Sequence, residues 1–428
     1  MKSRTDQHCV LDKMNPKRQG TYKGVSAHLP IQLLNTFAAK ANSFTGRSTG
    51  LSLDELLDAA YAKTHLDDPV DPGTLEAFGA LVDSVNREGD LTFFGRLTLR
   101  QFIIGKLCNR LRIVETLKRF GDIKNQKINR PIFITGWYRC GTTYLHNLLA
   151  THPQSRAPLY WELMHPCPAV DPRMIKPQKL IRRTKLANRI HGYLAPNFKR
   201  AHAMPAEQPE ECLHLFENTG MGTTGFFITE AKSFAGWLLE QDLRPAYQFY
   251  LHQLKLLNWL RPGNRWVLKW PYHLWHLDTL LEVFPDAFVI HIHRDPLKAI
   301  PSVCSLATLA REPFCNQIDR GALGQFWMKY YEKGLTRALA ARERAGTARI
   351  LDVNYADLIT SPSAMVQRIV DRTGLEPDEA WLSSIPAART IKQEAPAGSH
   401  SYALSQFELD PEQIRERFAA YIDSFGWG

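Results

Sequence analysis

Two spacings of apolar residues divide the chain. From Leu29 to about Phe120 apolar positions recur at helical spacing. In LSLDELLDAAYAKTH, Ser52 stands as an N-cap with Glu55 three residues on, the capping-box spacing. Pro72-Gly73 interrupts the pattern before TLEAFGALVDSVNREG. LTLRQFIIGKLCNRLRIVETLKRF then interleaves apolar residues with Arg100, Lys106, Arg110, Arg112, Lys118 and Arg119. That predicts a helix packed on the rest of the chain with a solvated basic face; a membrane-surface helix is the alternative.

The spacing changes at Ile132. Ile132-Phe133-Ile134-Thr135 is apolar and β-rich and predicts a short buried strand. Gly136 permits a sharp turn, and Thr142-Thr143 precede Tyr144, Leu145, Leu148 and Leu149, spaced as one helix face. A Gly-bounded loop between strand and helix offers backbone N–H groups to an anion. A second strand–loop unit is expected over Arg265–His273 and further strands at Phe288–His293 and Arg349–Val353, with helices between them. Such alternation predicts an α/β fold, a mostly parallel sheet with helices on both faces. An insertion from about 165 to 260 reads as a helical cap over a pocket, its first part, 165–200, as mobile. In parallel sheets ligands sit beyond the carboxyl ends of the strands. Arg139, Lys269, Arg294 and Tyr355 all fall just past predicted strand ends.

Composition narrows the classes. Of 428 residues, 44% are hydrophobic and 22% charged, enough for a packed core. The net charge of +10 favours anionic ligands or an acidic surface. It is modest for the length, and no nucleic-acid reading motif is present, so no nucleic-acid partner is expected. The seven cysteines are scattered, with no C-x-x-C pair, which suggests a reduced, cytoplasmic setting and no zinc site. The first residues have no apolar run behind their charges, unlike a secretory signal. Three regions are expected: a flexible basic arm (1–27), a helical region (28–128) and an α/β domain (129–428).

The loop compares with the P-loop, G-x-x-x-x-G-K-[ST]. Gly136 and Gly141 keep that spacing and Thr143 holds the Ser/Thr place, but Thr142 stands where the lysine belongs. Arg139 is the cation within the loop. The missing lysine counts against a P-loop kinase or nucleotide hydrolase, for which Asp295 or Asp352 would be the metal-holding acid.

Together these segments resemble the 3′-phosphoadenosine 5′-phosphosulfate (PAPS)-dependent sulfotransferases, most of all the large bacterial branch with an N-terminal helical extension. Tyr138-Arg139-Cys140-Gly141-Thr142-Thr143-Tyr144 is similar to the family's 5′-phosphosulfate loop. His293-Arg294-Asp295-Pro296 through Ser302 is similar to its 3′-phosphate motif, and Leu268-Lys269-Trp270-Pro271 to its intervening lysine segment. The resemblance implies a P-loop-like fold, PAPS as sulfuryl donor and no required metal. It implies that Arg139, Cys140, Gly141, Thr142 and Thr143 surround the 5′-phosphosulfate, that Tyr144 stacks on adenine, that Arg294 and Ser302 read the 3′-phosphate, and that Tyr355 reaches the adenine. Ser399 departs from the branch, which usually has a basic residue there. The cap region diverges too far to carry over any acceptor contact.

Sulfuryl transfer needs in-line positioning and a cation for the leaving phosphate. Arg139 and Lys269 are the candidates. The acceptor hydroxyl or amine needs a general base. Glu162 is the first choice and His273 the second, with His202, Glu207 and Glu210 behind them; Glu207, Glu210 and Glu211 otherwise cap a helix or pair with an arginine. The acceptor is open among small-molecule, lipid and carbohydrate classes. A non-catalytic anion- or membrane-surface-binding protein on the same fold is the remaining alternative.

Overall fold

The computed structural model describes residues 22–23, 31–36, 50–346, 348–385 and 403–426. Most of the expected basic arm lies outside the described residues, as do Gly398, Ser399 and His400; Tyr22–Lys23 pair antiparallel with Gln317–Ile318.

After a helical stretch at residues 31–36 come α1 (Leu53–Thr64), α2 (Pro72–Glu88) and α3 (Phe93–Arg119). Each of α1 to α3 begins at a residue whose side chain accepts a backbone N–H: Ser52, Asp71 and Thr92. Such caps fix where the helices start. Leu56, Phe78, Val85, Leu99, Ile103 and Leu107 then bury their inner faces in the main apolar cluster.

That cluster continues onto one face of a five-stranded parallel sheet. Its strands are β1 (Ile132–Gly136), β2 (Ser155–Arg156), β3 (Arg265–Lys269), β4 (Phe288–His293) and β5 (Ile350–Asn354), in spatial order β2-β3-β1-β4-β5. Alternation along the strands sorts the side chains. Phe133, Leu268, Val289 and Ile350 enter the main cluster. Ile132, Ile134, Val267, Ile290, Ile292 and Val353 face a second cluster with Leu145, Leu148 and Leu149 of α4 (Thr142–Ala150). Both faces are covered, so the strands read as continuous apolar runs.

The register aligns the carboxyl ends. Ile134 sits beside Lys269, Gly136 beside Ile292, and His293 beside Asn354. The residues that follow, the loop after Gly136, Arg294 and Tyr355, therefore emerge along one rim.

Further helices include α5 (Tyr160–Met164), α6 (Pro177–Leu194), α7 (Pro196–Ala201), α8 (Arg244–Leu260), α9 (Pro296–Arg311) and α10 (Arg320–Ala345). Two expectations need revision. The end of the expected cap, α8, packs inward, because Tyr247, Tyr250, Leu254 and Leu257 form an apolar stripe in the main cluster. The basic face of α3 is not wholly solvated. Lys106 is buried and donates to the His214 carbonyl (3.1 Å), and burial pushes its pKa down to about 8. Arg110 lies 3.5 Å over the Phe249 ring and pairs with Asp71. Among the described residues no helix is long and apolar enough to cross a membrane.

Candidate active site

The loop after β1 is shaped by backbone that only some residues accept. Gly136 has φ +147° and Gly141 φ +88°. A Cβ on Gly136 would collide with the Ile292 carbonyl oxygen, and one on Gly141 would lie 3.0 Å from the Tyr355 ring. Arg139, with φ +69°, is left-handed without being glycine, a strained state that turns its carbonyl toward Arg294. Arg294 Nη1 donates to that carbonyl. The same guanidinium lies 4.6 Å from the Tyr355 ring centroid. Three of the four rim positions singled out in the sequence, Arg139, Arg294 and Tyr355, thus meet around the loop.

Gly141 is the N-cap of α4, and with no side chain it cannot cap the helix itself. This is a frame for an anion. Thr142 is buried and Thr143 exposed at the first turn; Tyr144, half-buried, follows. Cys140 is buried, and burial pushes its thiol up to about 12, so it is a packing residue rather than a nucleophile. Asp295 caps α9 by accepting from Leu297 N (2.8 Å), and Ser302 is buried on that helix.

Lys269 completes the group. Its Nζ is buried and lies 3.3 Å from Thr143 Oγ1, 2.8 Å from Glu211 Oε1 and 3.6 Å from Glu210 Oε1. Burial alone would lower its pKa, but the Glu211 and Glu210 carboxylates outweigh that and raise it. Burial likewise acts to raise the Glu210 pKa, and the Lys269 charge reverses this and holds it low. Backbone pairing fixes the arrangement, since Cys212 N donates to the Lys269 carbonyl (2.9 Å) and lays Glu210-Glu211 across the end of β3. His202 Nε2 lies 3.9 Å from Glu210 Oε2, and Arg139 Nη1 donates to the Ala201 carbonyl (3.2 Å).

Two expected bases are elsewhere. Glu162 is buried on α5 and accepts from Arg156 Nη2 (2.7 Å), Arg261 Nη1 (3.0 Å) and Leu159 N (2.8 Å). Arg156 is in register with Trp266, and Arg261 precedes β3, so Glu162 is anchored at the amino end of the strand that carries Lys269 at its carboxyl end. It is a cap and an ion-pair partner. His273 turns into the core, its Nδ1 2.7 Å from Tyr247 Oη and its ring edge-on to Phe133. Burial pushes its pKa down to about 3. Glu207 pairs with Lys185 at the surface. What the sequence reading under-ranked is the adjacent pair Glu210-Glu211. Its signal was two carboxylates before an apolar helix start, with nothing local to say that they meet Lys269.

The acids expected for a metal-dependent kinase are also engaged. Asp295 caps α9, while Asp352 accepts from His293 Nε2 (2.8 Å) and Arg342 Nη2 (2.8 Å). Among the described residues His291, His293 and Asp352 have ligand-type atoms within 4.8 Å of one another, but the Arg342 guanidinium already bonds both His291 Nδ1 and Asp352.

Known proteins resemble this chain in sequence and in fold. A family profile described as "Sulfotransferase family" matches residues 131–379. Sulfotransferase STF1 from Mycobacterium tuberculosis H37Rv, known from a crystal structure, is 32% identical with a TM-score of 0.75, over 87% of this chain and 100% of that one. The crystal structure of sulfotransferase STF9 from Mycobacterium avium gives 26% identity and a TM-score of 0.77, over 87% of this chain and 96% of that one. Curated proteins of Mycobacterium bovis and Mycobacterium tuberculosis, both named omega-hydroxy-beta-dihydromenaquinone-9 sulfotransferase Stf3, are 24% identical over 310 residues, 69% of this chain and 75% of theirs.

Proposed function

Since the chain belongs to the sulfotransferase family and is an enzyme of that class, we propose that its sulfuryl donor is PAPS and that Glu211 and Lys269 carry the transfer. The observation that bears most weight is Lys269 Nζ, placed between Glu211 and Thr143 at the uncapped start of α4. The residues fit such a donor: the loop leaves N–H groups for a 5′-phosphosulfate, Gly141 leaves room beside Tyr355, and Arg294 stands at the rim for a second phosphate. PAPS would supply a sulfuryl group on an already acidic leaving phosphate, so this reading requires no metal.

In this reading Arg139, Gly141, Thr142 and Thr143 hold the 5′ end, with Cys140 packing the turn. Arg294 and Ser302 hold the 3′-phosphate, and Tyr144 and Tyr355 flank the adenine. Lys269 would supply the positive charge for the leaving phosphate. Glu211 would take the proton of the acceptor hydroxyl as general base. Residues 129–428 form the catalytic unit, supported by the helices of 28–128.

The acceptor we propose is a hydroxyl on a lipophilic molecule. The support is a relative named for an omega-hydroxy-dihydromenaquinone. Calorimetric titration with adenosine 3′,5′-bisphosphate, without magnesium, tests the donor site. Binding by the wild type that falls about tenfold or more in Arg294→Ala is expected, as a charge-assisted contact is lost. No wild-type binding, with magnesium-dependent ATP binding in its place, would refute the donor assignment.

A further inference from the structure

Helix α6 turns one face to the protein and presents a different composition to solvent. Leu180 and Thr184 are buried, Asn188 Nδ2 donates to the Met204 carbonyl (2.5 Å), and His191 meets the Phe198 ring edge-on. At about 3.6 residues per turn these four share one stripe. The opposite stripe carries Leu186, Ile190 and Tyr193, exposed by 59%, 53% and 57%. Exposed cations flank them on the same side: Lys179, Arg182, Arg183 and Arg189. Between Pro172 and Ala206 the chain has nine Lys or Arg and no Asp or Glu. Among the described residues the ion pair made by α6 is Lys185 with Glu207, which leaves those four cations unpaired with acid.

We propose that this face of α6 docks the protein on an anionic lipid bilayer. An apolar stripe bordered by cations is what an interfacial helix presents, its aliphatic side chains entering the acyl boundary while Lys and Arg meet lipid phosphates. The other occupants fit less well. A second copy of this chain would bring two acid-free cationic faces together, and a nucleic acid offers no partner for Leu186 and Ile190. The helix leads into α7, whose Ala201 carbonyl accepts from Arg139 of the phosphate loop. Docking therefore brings the candidate active site close to the bilayer. The proposal rests on α6 itself and not on the donor assignment.

Flotation of the full chain with vesicles tests it. Wild type is expected to float with mixed phosphatidylcholine–phosphatidylglycerol vesicles and far less with phosphatidylcholine alone. Arg182→Ser/Arg183→Ser should weaken partition about tenfold or more, as two cations leave the surface. Leu186→Ser/Ile190→Ser should do the same through lost apolar burial. Unchanged thermal melts would show that both variants fold, as expected for exposed positions. Wild type that stays with the soluble fraction on anionic vesicles, or variants that float as well as wild type, would overturn the proposal. So would a concentration-dependent dimer abolished by Leu186→Ser/Ile190→Ser without any vesicle binding, which would assign the face to a second copy.

Discussion

Lys269 Nζ lies 2.8 Å from Glu211 Oε1 at a point where the lysine side chain has no solvent exposure. The lysine charge is matched there by Glu211 and, at 3.6 Å, by Glu210, and removing it leaves both carboxylates without their cation. Lys269→Met should therefore cost about 3–5 kcal/mol by leaving a buried carboxylate uncompensated. Adding Glu211→Gln should recover part of that stability and none of the turnover. Urea unfolding of the two single variants and the double variant measures the coupling; strictly additive effects would contradict it.

Glu211 and Glu162 separate by kinetics. Glu211→Gln should lower kcat by about 10²–10⁴ while leaving adenosine 3′,5′-bisphosphate binding in place. Glu162→Gln should instead destabilise the fold, since Arg156 loses a buried partner, and should leave kcat near wild type in the folded fraction. The reverse pattern would restore Glu162 as the base.

Gly141→Ala tests the loop. A side chain at φ +88° costs about 1–2 kcal/mol, and its Cβ presses on the Tyr355 ring. Affinity for adenosine 3′,5′-bisphosphate should fall roughly tenfold, with a smaller change in the melting temperature. Wild-type affinity in this variant would mean that the loop is not the binding frame.

Acid should destabilise the protein well above the carboxylate range. His146 and His273 are buried and His214 is half-buried, and desolvation pushes each pKa down to about 3; His276 falls to about 4. In the folded chain they stay neutral near pH 6, whereas in the unfolded chain they protonate below about 6.5. The unfolded state then binds more protons, so stability falls as pH drops from about 6.5 toward the folded values. Well below 6.5 the slope should approach about 1.4 kcal/mol per pH unit for each such histidine. Urea unfolding at pH 7 and pH 5 reads it, and equal stabilities at the two would refute it.

How much of this was legible in the sequence follows the range of the interactions involved. The strand from Ile132, the loop glycines and the start of α4 are local patterns, and they stand where the sequence places them. The rim of Arg139, Lys269, Arg294 and Tyr355 was legible because a parallel sheet aligns strand ends whatever the intervening length. The partner of Lys269 was not. Glu162 and Glu211 are both glutamates near a helix start, and only the backbone bond from Cys212 to the Lys269 carbonyl decides which one reaches the cation. Burial of His273 was equally hidden, because its proximity to Lys269 in the chain says nothing of which way a 3₁₀ turn faces it.

The bond from Arg294 to the Arg139 carbonyl has a consequence for selectivity. A guanidinium resting on a peptide oxygen is held in place by a neutral acceptor. Any incoming oxyanion offers a bond roughly twice as strong. An uncharged competitor of the same shape offers no such advantage and leaves the resting bond intact. The rim thus discriminates first by charge, and a dephosphorylated nucleoside would be turned away before its fit to the pocket is tried.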